Sequence, residues 1–123
     1  DGFGGKAQGN AYATRQGAQV TSPADGWVVY AGPFRSYGQL LIINPGNGYH
    51  VILAGMSRIN VEFGQFVLAG EPVGVMGETS TLARSIVAAE PSNRPILYVE
   101  FRKEGTSIDP DPWWVRDGEK VRG

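Results

Sequence analysis

The run Ile96 to Arg102, ILYVEFR, constrains this chain more than any other stretch, because it alternates residue by residue. Successive side chains of a strand point to opposite faces. Leu97, Val99 and Phe101 therefore share one face, and Ile96, Tyr98, Glu100 and Arg102 share the other. The first set is wholly apolar and belongs against a core. The second mixes an aliphatic chain, a phenol, a carboxylate and a guanidinium, so it lines a groove or the surface, and function is expected on it. Lys103-Glu104-Gly105-Thr106 turns the chain after this strand. Ile108 to Trp114, IDPDPWW, holds too much proline for a helix or a central strand, and Trp113 or Trp114 is expected to cap the core.

The rest of the chain is punctuated in the same way. Pro23 and Asp25-Gly26 make a turn, and Trp27 to Ala31 form a strand that stops at Gly32-Pro33. Gln39 to Asn44 is an apolar strand, Pro45-Gly46-Asn47-Gly48 a hairpin turn, and Tyr49 to Ala54 the returning strand. In SRINVEFGQFVLAGEPVGVMG, Gly64, Gly70 and Gly74 allow turns between very short strands, with Val67, Val73 and Val75 facing the core. Residues 78–94 are the least regular. Leu82, Ile86 and Ala89 share a possible helix face ended by Pro91, and Leu82, Ile86 and Val87 either meet a partner or pack the segment down. Eighteen glycines, eight prolines and abundant Val and Ile fit short strands joined by tight turns. The expected class is all-β: one compact antiparallel domain over residues 1–123, sandwich or barrel-like, with long loops, a glycine-rich lead-in at 1–10 and a frayed tail at 115–123.

Charge and residue inventory exclude several functions. The formal charge is −1, and the eight arginines and three lysines are scattered, which argues against nucleic acid as a partner. No apolar run approaches the roughly 18 residues of a membrane-spanning helix. The start at Asp1, with neither methionine nor a signal peptide, reads as an excised or processed domain. There is no cysteine and one histidine, His50, so a tetrahedral zinc site would rest almost wholly on carboxylates, a poor donor set for that metal. No metal or other cofactor is expected, and His50 reads as a structural strand residue. Ser57, Ser80, Ser85 and Ser92 have no base except His50 and no G-x-S-x-G context. The glycine phrase at 61–74 also occurs in lipoyl and biotinyl carriers, but Lys6, Lys103 and Lys120 do not sit mid-chain on a hairpin tip.

The organising strand and its tail resemble the last motif of the lysostaphin-like (LytM, M23) zinc endopeptidases, P-H-L-H-F-E-[IV]-R followed by N-P-x-P-[WY]. Pro95, Leu97, Glu100, Arg102, Pro110, Pro112 and Trp113 match it, while Ile96 and Tyr98 stand at the two histidines. Counted back from Gly17 and Val20, the family's first zinc histidine and aspartate fall on Ala7 and Ala11, and its auxiliary histidine falls on Gly55. The resemblance runs from about Ala7 to Trp114. It is tightest to the EnvC-type murein hydrolase activators, whose degenerate LytM domains carry G-R-P-x-L-Y-[FV]-E-[IF]-R. Arg94, Pro95, Leu97, Tyr98, Glu100 and Arg102 reproduce that signature.

This resemblance implies a catalytically inactive, periplasmic regulator. Its emptied groove would bind an N-acetylmuramoyl-L-alanine amidase and relieve that enzyme's autoinhibitory segment during septal cell-wall splitting. Further implied partners are peptidoglycan and a coiled-coil region upstream in the same protein. The expected groove is apolar and roomy, floored by Tyr98, Ile96 and Gly55, with Tyr37 and Tyr98 as aromatic anchors and Arg102 and Arg35 at the rim. Each residue has a blander role open to it. Tyr98 also reads, with less weight, as a core-edge tyrosine, Arg102 as the surface partner of Glu100 or Glu104, and Tyr37 as a lid on the barrel end. The alternative of a different class is a non-catalytic peptidoglycan-binding module that keeps the ancestral groove.

Overall fold

A computed structural model describes residues 9–78, 94–103, 106–108 and 118–121. Their strands are β1 (Asn10–Thr14), β2 (Gln19–Thr21), β3 (Gly26–Pro33), β4 (Gln39–Gly46), β5 (Tyr49–Met56), β6 (Arg58–Ile59), β7 (Phe66–Val67), β8 (Pro72–Val75), β9 (Ile96–Lys103), β10 (Thr106–Ile108) and β11 (Gly118–Val121). A single 3-10 turn, Arg35–Tyr37, interrupts them. The larger sheet has eight strands in the order β11-β1-β9-β5-β4-β3-β7, with β10 also on β9, and the smaller has the order β2-β8-β6. Every pairing is antiparallel. The sheets do not close into a barrel.

The local chemistry explains the connections. β4 and β5 form a hairpin in which Gly46 pairs with Tyr49, and the two residues between them, Asn47 and Gly48, have φ of 57° and 79°. Positive φ at both loop positions twists a two-residue turn the same way as its strands, and Asn-Gly is the pair that adopts it at least cost. The chain reverses again where Lys103 pairs with Thr106. At Gly64 and Gly70 the φ values of 89° and 86° fit the expected turns. Gly74 differs from its expected role, because it lies within β8. A side chain there would run into Met56 and the backbone carbonyl of Arg58, so this glycine permits close packing of β8 on its neighbours.

Alternation along the strands fills the space between the sheets. Leu41 and Ile43 from β4, Val51 and Leu53 from β5, and Leu97 and Val99 from β9 meet Val20, Val73 and Met76 in one buried cluster, with Phe101 packed at its margin. The apolar face read from the β9 sequence is therefore the core face. Two expectations change. Residues 118–121 do not fray: they pair with β1 from Ala11↔Val121 to Thr14↔Gly118, because β1 has an edge left open beyond β9. Val75 is only half-buried, whereas Val67 and Val73 are fully buried. The possible helix at 82–89 and Trp113 and Trp114 lie outside the described residues.

Candidate functional site

The second face of the large sheet carries the site residues, and its geometry follows from strand register. Leu40 lies across from Ala54, Ala54 from Tyr98, and Tyr98 from Ala11. One step along, Tyr30 faces Ile42, Ile42 faces Ile52, and Ile52 faces Glu100. The next step pairs His50 with Arg102. Three of the positions that the resemblance assigns to metal or catalysis, Ala11, Ile96 and Tyr98, join one apolar cluster with Ala13, Tyr37, Leu40, Ile52 and Ala54. Gly55 is the extra residue where the β4–β5 register shifts between Met56 and Ala54, and it has φ of 105°. Ala7 lies outside the described residues.

This face is filled, where the sequence suggested a roomy groove. Ile96 is 1% exposed, Tyr98 2% and Tyr37 6%. The reason is the connection between β3 and β4. Phe34 N–H donates to the Gly38 carbonyl and Tyr37 N–H to the Phe34 carbonyl, both at 2.9 Å, and this tight loop lays Tyr37 over β9. The Tyr37 and Tyr98 rings are 6.3 Å apart, and Tyr37, Phe34 and Tyr30 continue as an aromatic row with spacings of 6.0 and 5.9 Å. Tyr37 thus lies as a lid over Tyr98, and both rings are buried in one cluster. Arg35 has φ of 49° and carries its guanidinium 5.4 Å over the Phe34 ring, exposed at the rim.

A carboxylate lies at the centre of this arrangement, although strand alternation alone puts it on a groove or the surface. Glu100 is 2% exposed. It accepts a hydrogen bond from the Tyr98 hydroxyl at 2.9 Å and another from Arg102 Nε at 2.6 Å. The Tyr98 oxygen in turn accepts from the Gly9 backbone N–H at 2.7 Å. Side chains two apart on a strand share a face, so the sequence Tyr-x-Glu-x-Arg alone sets up this chain of bonds. A buried carboxylate needs such donors, and a charged one strengthens the bond. Burial raises the Tyr37 phenol above its ordinary pKa and the charge of Glu100 adds to this, while Arg102 and Arg35 partly offset both. Those charges therefore converge on the lid. Arg102 pairs with Glu100 and keeps 14% of its side chain exposed, at the open end of the face beside His50.

The site does not fit the zinc ion of the endopeptidases. At Ala11, Ile96 and Gly55 the side chains are a methyl, a branched alkyl and a hydrogen, and the Tyr98 phenol is committed to Glu100.

The profile of Peptidase family M23 matches residues 5–110. The chain belongs to this family. It is 28% identical over 109 residues to the murein hydrolase activator EnvC of Escherichia coli K12, a match that covers 89% of this chain and 24% of EnvC. It is 35% identical over 112 residues to the murein hydrolase activator NlpD of the same organism, covering 88% of this chain and 27% of NlpD. The chain thus spans about a quarter of the curated relatives it matches. The catalytic domain of lysostaphin from Staphylococcus simulans superposes with a TM-score of 0.68 at 24% identity, over 91% of this chain and 81% of that one, which shows a common fold. Helicobacter pylori Csd3 gives a TM-score of 0.68 at 26% identity, over 94% of this chain and 28% of Csd3. Within the M23 fold, the motif match predicted the membership correctly. What it could not supply was the loop that buries Tyr98.

Proposed function

We propose that this M23 domain is a non-catalytic activator of a peptidoglycan hydrolase, namely an N-acetylmuramoyl-L-alanine amidase acting in the periplasm during septal splitting. The observation that carries this reading is the substitution of the metal-site positions by packing residues on a face that still fixes an arginine. Ala11, Ile96 and Tyr98 form a stable apolar floor, and Glu100 holds Arg102 at its open end. Such a face is a docking surface with a preset charge. The activator names of EnvC and NlpD point the same way.

Because Tyr98 and Ile96 are buried, contact with the amidase falls to the rim: Arg102, the exposed Arg35 and the half-buried Ile42. Tyr98 and Tyr37 act from beneath, by holding Glu100 and the lid in place. The segment of the amidase that docks there should be an apolar one with carboxylates flanking it, matching the two arginines.

Dye release from labelled peptidoglycan tests the proposal with the domain alone, the amidase alone and the two mixed. Release only in the mixture, lowered about tenfold or more by Arg102→Glu, is the expected result. Release by the domain alone would show an active hydrolase. If no sample releases dye while the domain pellets with peptidoglycan, it is a binding module instead.

A further inference from the structure

A second surface, on strands away from Arg102, has the opposite character. Phe63 is 75% exposed, Leu68 56%, Trp27 55% and Phe66 45%. Trp27 and Phe66 are cross-strand partners on β3 and β7, packed edge to face with ring centroids 4.9 Å apart. Phe66, in this short edge strand, and Leu68, just past its end, flank the fully buried Val67, and both are exposed. Phe63 stands in the turn just before, where Gln65 N–H donates to the Glu62 carbonyl at 3.1 Å. An apolar group of this size, on the outside of an edge strand, is what protein contacts bury.

The charge around it says what kind of partner fits. Residues 16–34 and 59–78, the stretches that carry the patch, contain Asp25, Glu62, Glu71 and Glu78 and neither lysine nor arginine, with Arg15, Arg35 and Arg58 standing just beyond their ends. Two of those carboxylates are fixed beside the patch: Asp25 Oδ1 accepts from Ala69 N–H at 2.7 Å, and Glu71 Oε1 from Leu68 N–H at 2.9 Å. Arg35, Arg94 and Arg102 lie instead toward the other site, and β3 is three strands from β9, about 14 Å by the usual strand spacing. We propose that the Trp27–Phe63–Phe66–Leu68 patch docks a cationic amphipathic segment of a partner protein, with its apolar side chains on the aromatics and its lysines or arginines toward Asp25, Glu62 and Glu71. The same negative surroundings disfavour peptidoglycan, whose stem peptides carry carboxylates, and they disfavour a second copy of this patch, which would bring like charges together.

The test titrates the isotopically labelled domain with a synthetic amphipathic Leu/Lys helical peptide and, separately, with its Leu/Glu counterpart, following backbone amide shifts. The proposal expects binding of the Leu/Lys peptide only, with shifts centred on residues 25–28 and 62–71. Affinity should fall about tenfold in Phe63→Ser or Phe66→Ser, and it should weaken with Glu62→Lys and with added salt. Phe63 is a turn residue with most of its surface in water, so Phe63→Ser keeps the test open if Phe66→Ser fails to fold. Arg102→Glu should leave this binding unchanged. Equal binding of both peptides, no binding of the Leu/Lys peptide, or binding that the patch variants do not affect would each overturn the proposal. So would a patch-dependent dimer in sedimentation, or patch-dependent pelleting with peptidoglycan.

Discussion

At the scale of single residues, Glu100 is the group on which the site depends. It is buried and ionisable, and it is matched by a phenol on one oxygen and a guanidinium on the other. Replacing it by glutamine keeps the shape but removes the charge that orients Arg102, and one of the partners loses its bond. Glu100→Gln should lower unfolding stability by about 1–3 kcal/mol in urea titrations and also reduce amidase activation, although Glu100 itself makes no contact with the amidase. Tyr37 gives a prediction in pH. Its phenol is held above the ordinary value, chiefly by burial and then by Glu100. In the unfolded chain it ionises near pH 10, and in the folded protein at a higher pH. Stability is therefore fully present below about pH 10 and is lost as pH rises from there through the folded value. Tyr37→Phe should flatten this alkaline loss in chemical unfolding measured from pH 9 to 12, and an unaltered slope would count against a buried Tyr37 phenol.

At the scale of elements, β9 and the β4–β5 pair determine where the site lies. β9 reads as a strand from its alternation, and its Leu97/Val99/Phe101 face is legible as core because nothing polar interrupts it. Its other face was harder to read. Tyr98, Glu100 and Arg102 have the polarity of a groove, yet two of the three are buried, because the 3-10 turn at Arg35–Tyr37 covers them and they satisfy one another. Alternation tells which side chains share a face, but it does not tell what a loop sixty residues away will lay across that face. The bulge at Gly55 is a second case. Its φ of 105° lies where a side chain is strained, so the position that matches a family histidine is also one the present backbone reserves for glycine. Gly55→Ala should cost about 1–3 kcal/mol by thermal or urea unfolding. Gly55→His should cost at least as much and should confer no zinc-dependent hydrolysis, since Ile96 and Tyr98 offer no further imidazole.

At the scale of the whole molecule, the two surfaces differ in the charges fixed beside them: Arg35, Arg94 and Arg102 lie toward the β9 face, and Asp25 and Glu71 are held next to the aromatic residues at β7. The large sheet also ends differently at its two sides: among the described residues β7, with its aromatic side chains, is the last strand at one side, and β1 is covered by β11 at the other. Truncation before Gly118 should uncover the outer edge of β1. Amides of Ala11 to Thr14 should then exchange faster with solvent, and stability should fall by about 2 kcal/mol as ladder bonds are lost. The sequence by itself determined the all-β class, the Asn-Gly hairpin, the inward face of β9 and the M23 membership, because turn chemistry, strand alternation and motif spacing are local properties of the chain. Only the tertiary structure decided that Glu100 is buried, that Tyr37 closes over Tyr98, that residues 118–121 pair with β1 and that Trp27 meets Phe66 on the last strand of the described sheet. Each of these depends on which distant segments come to lie side by side, and burial is a property of that neighbourhood, not of any one residue in it.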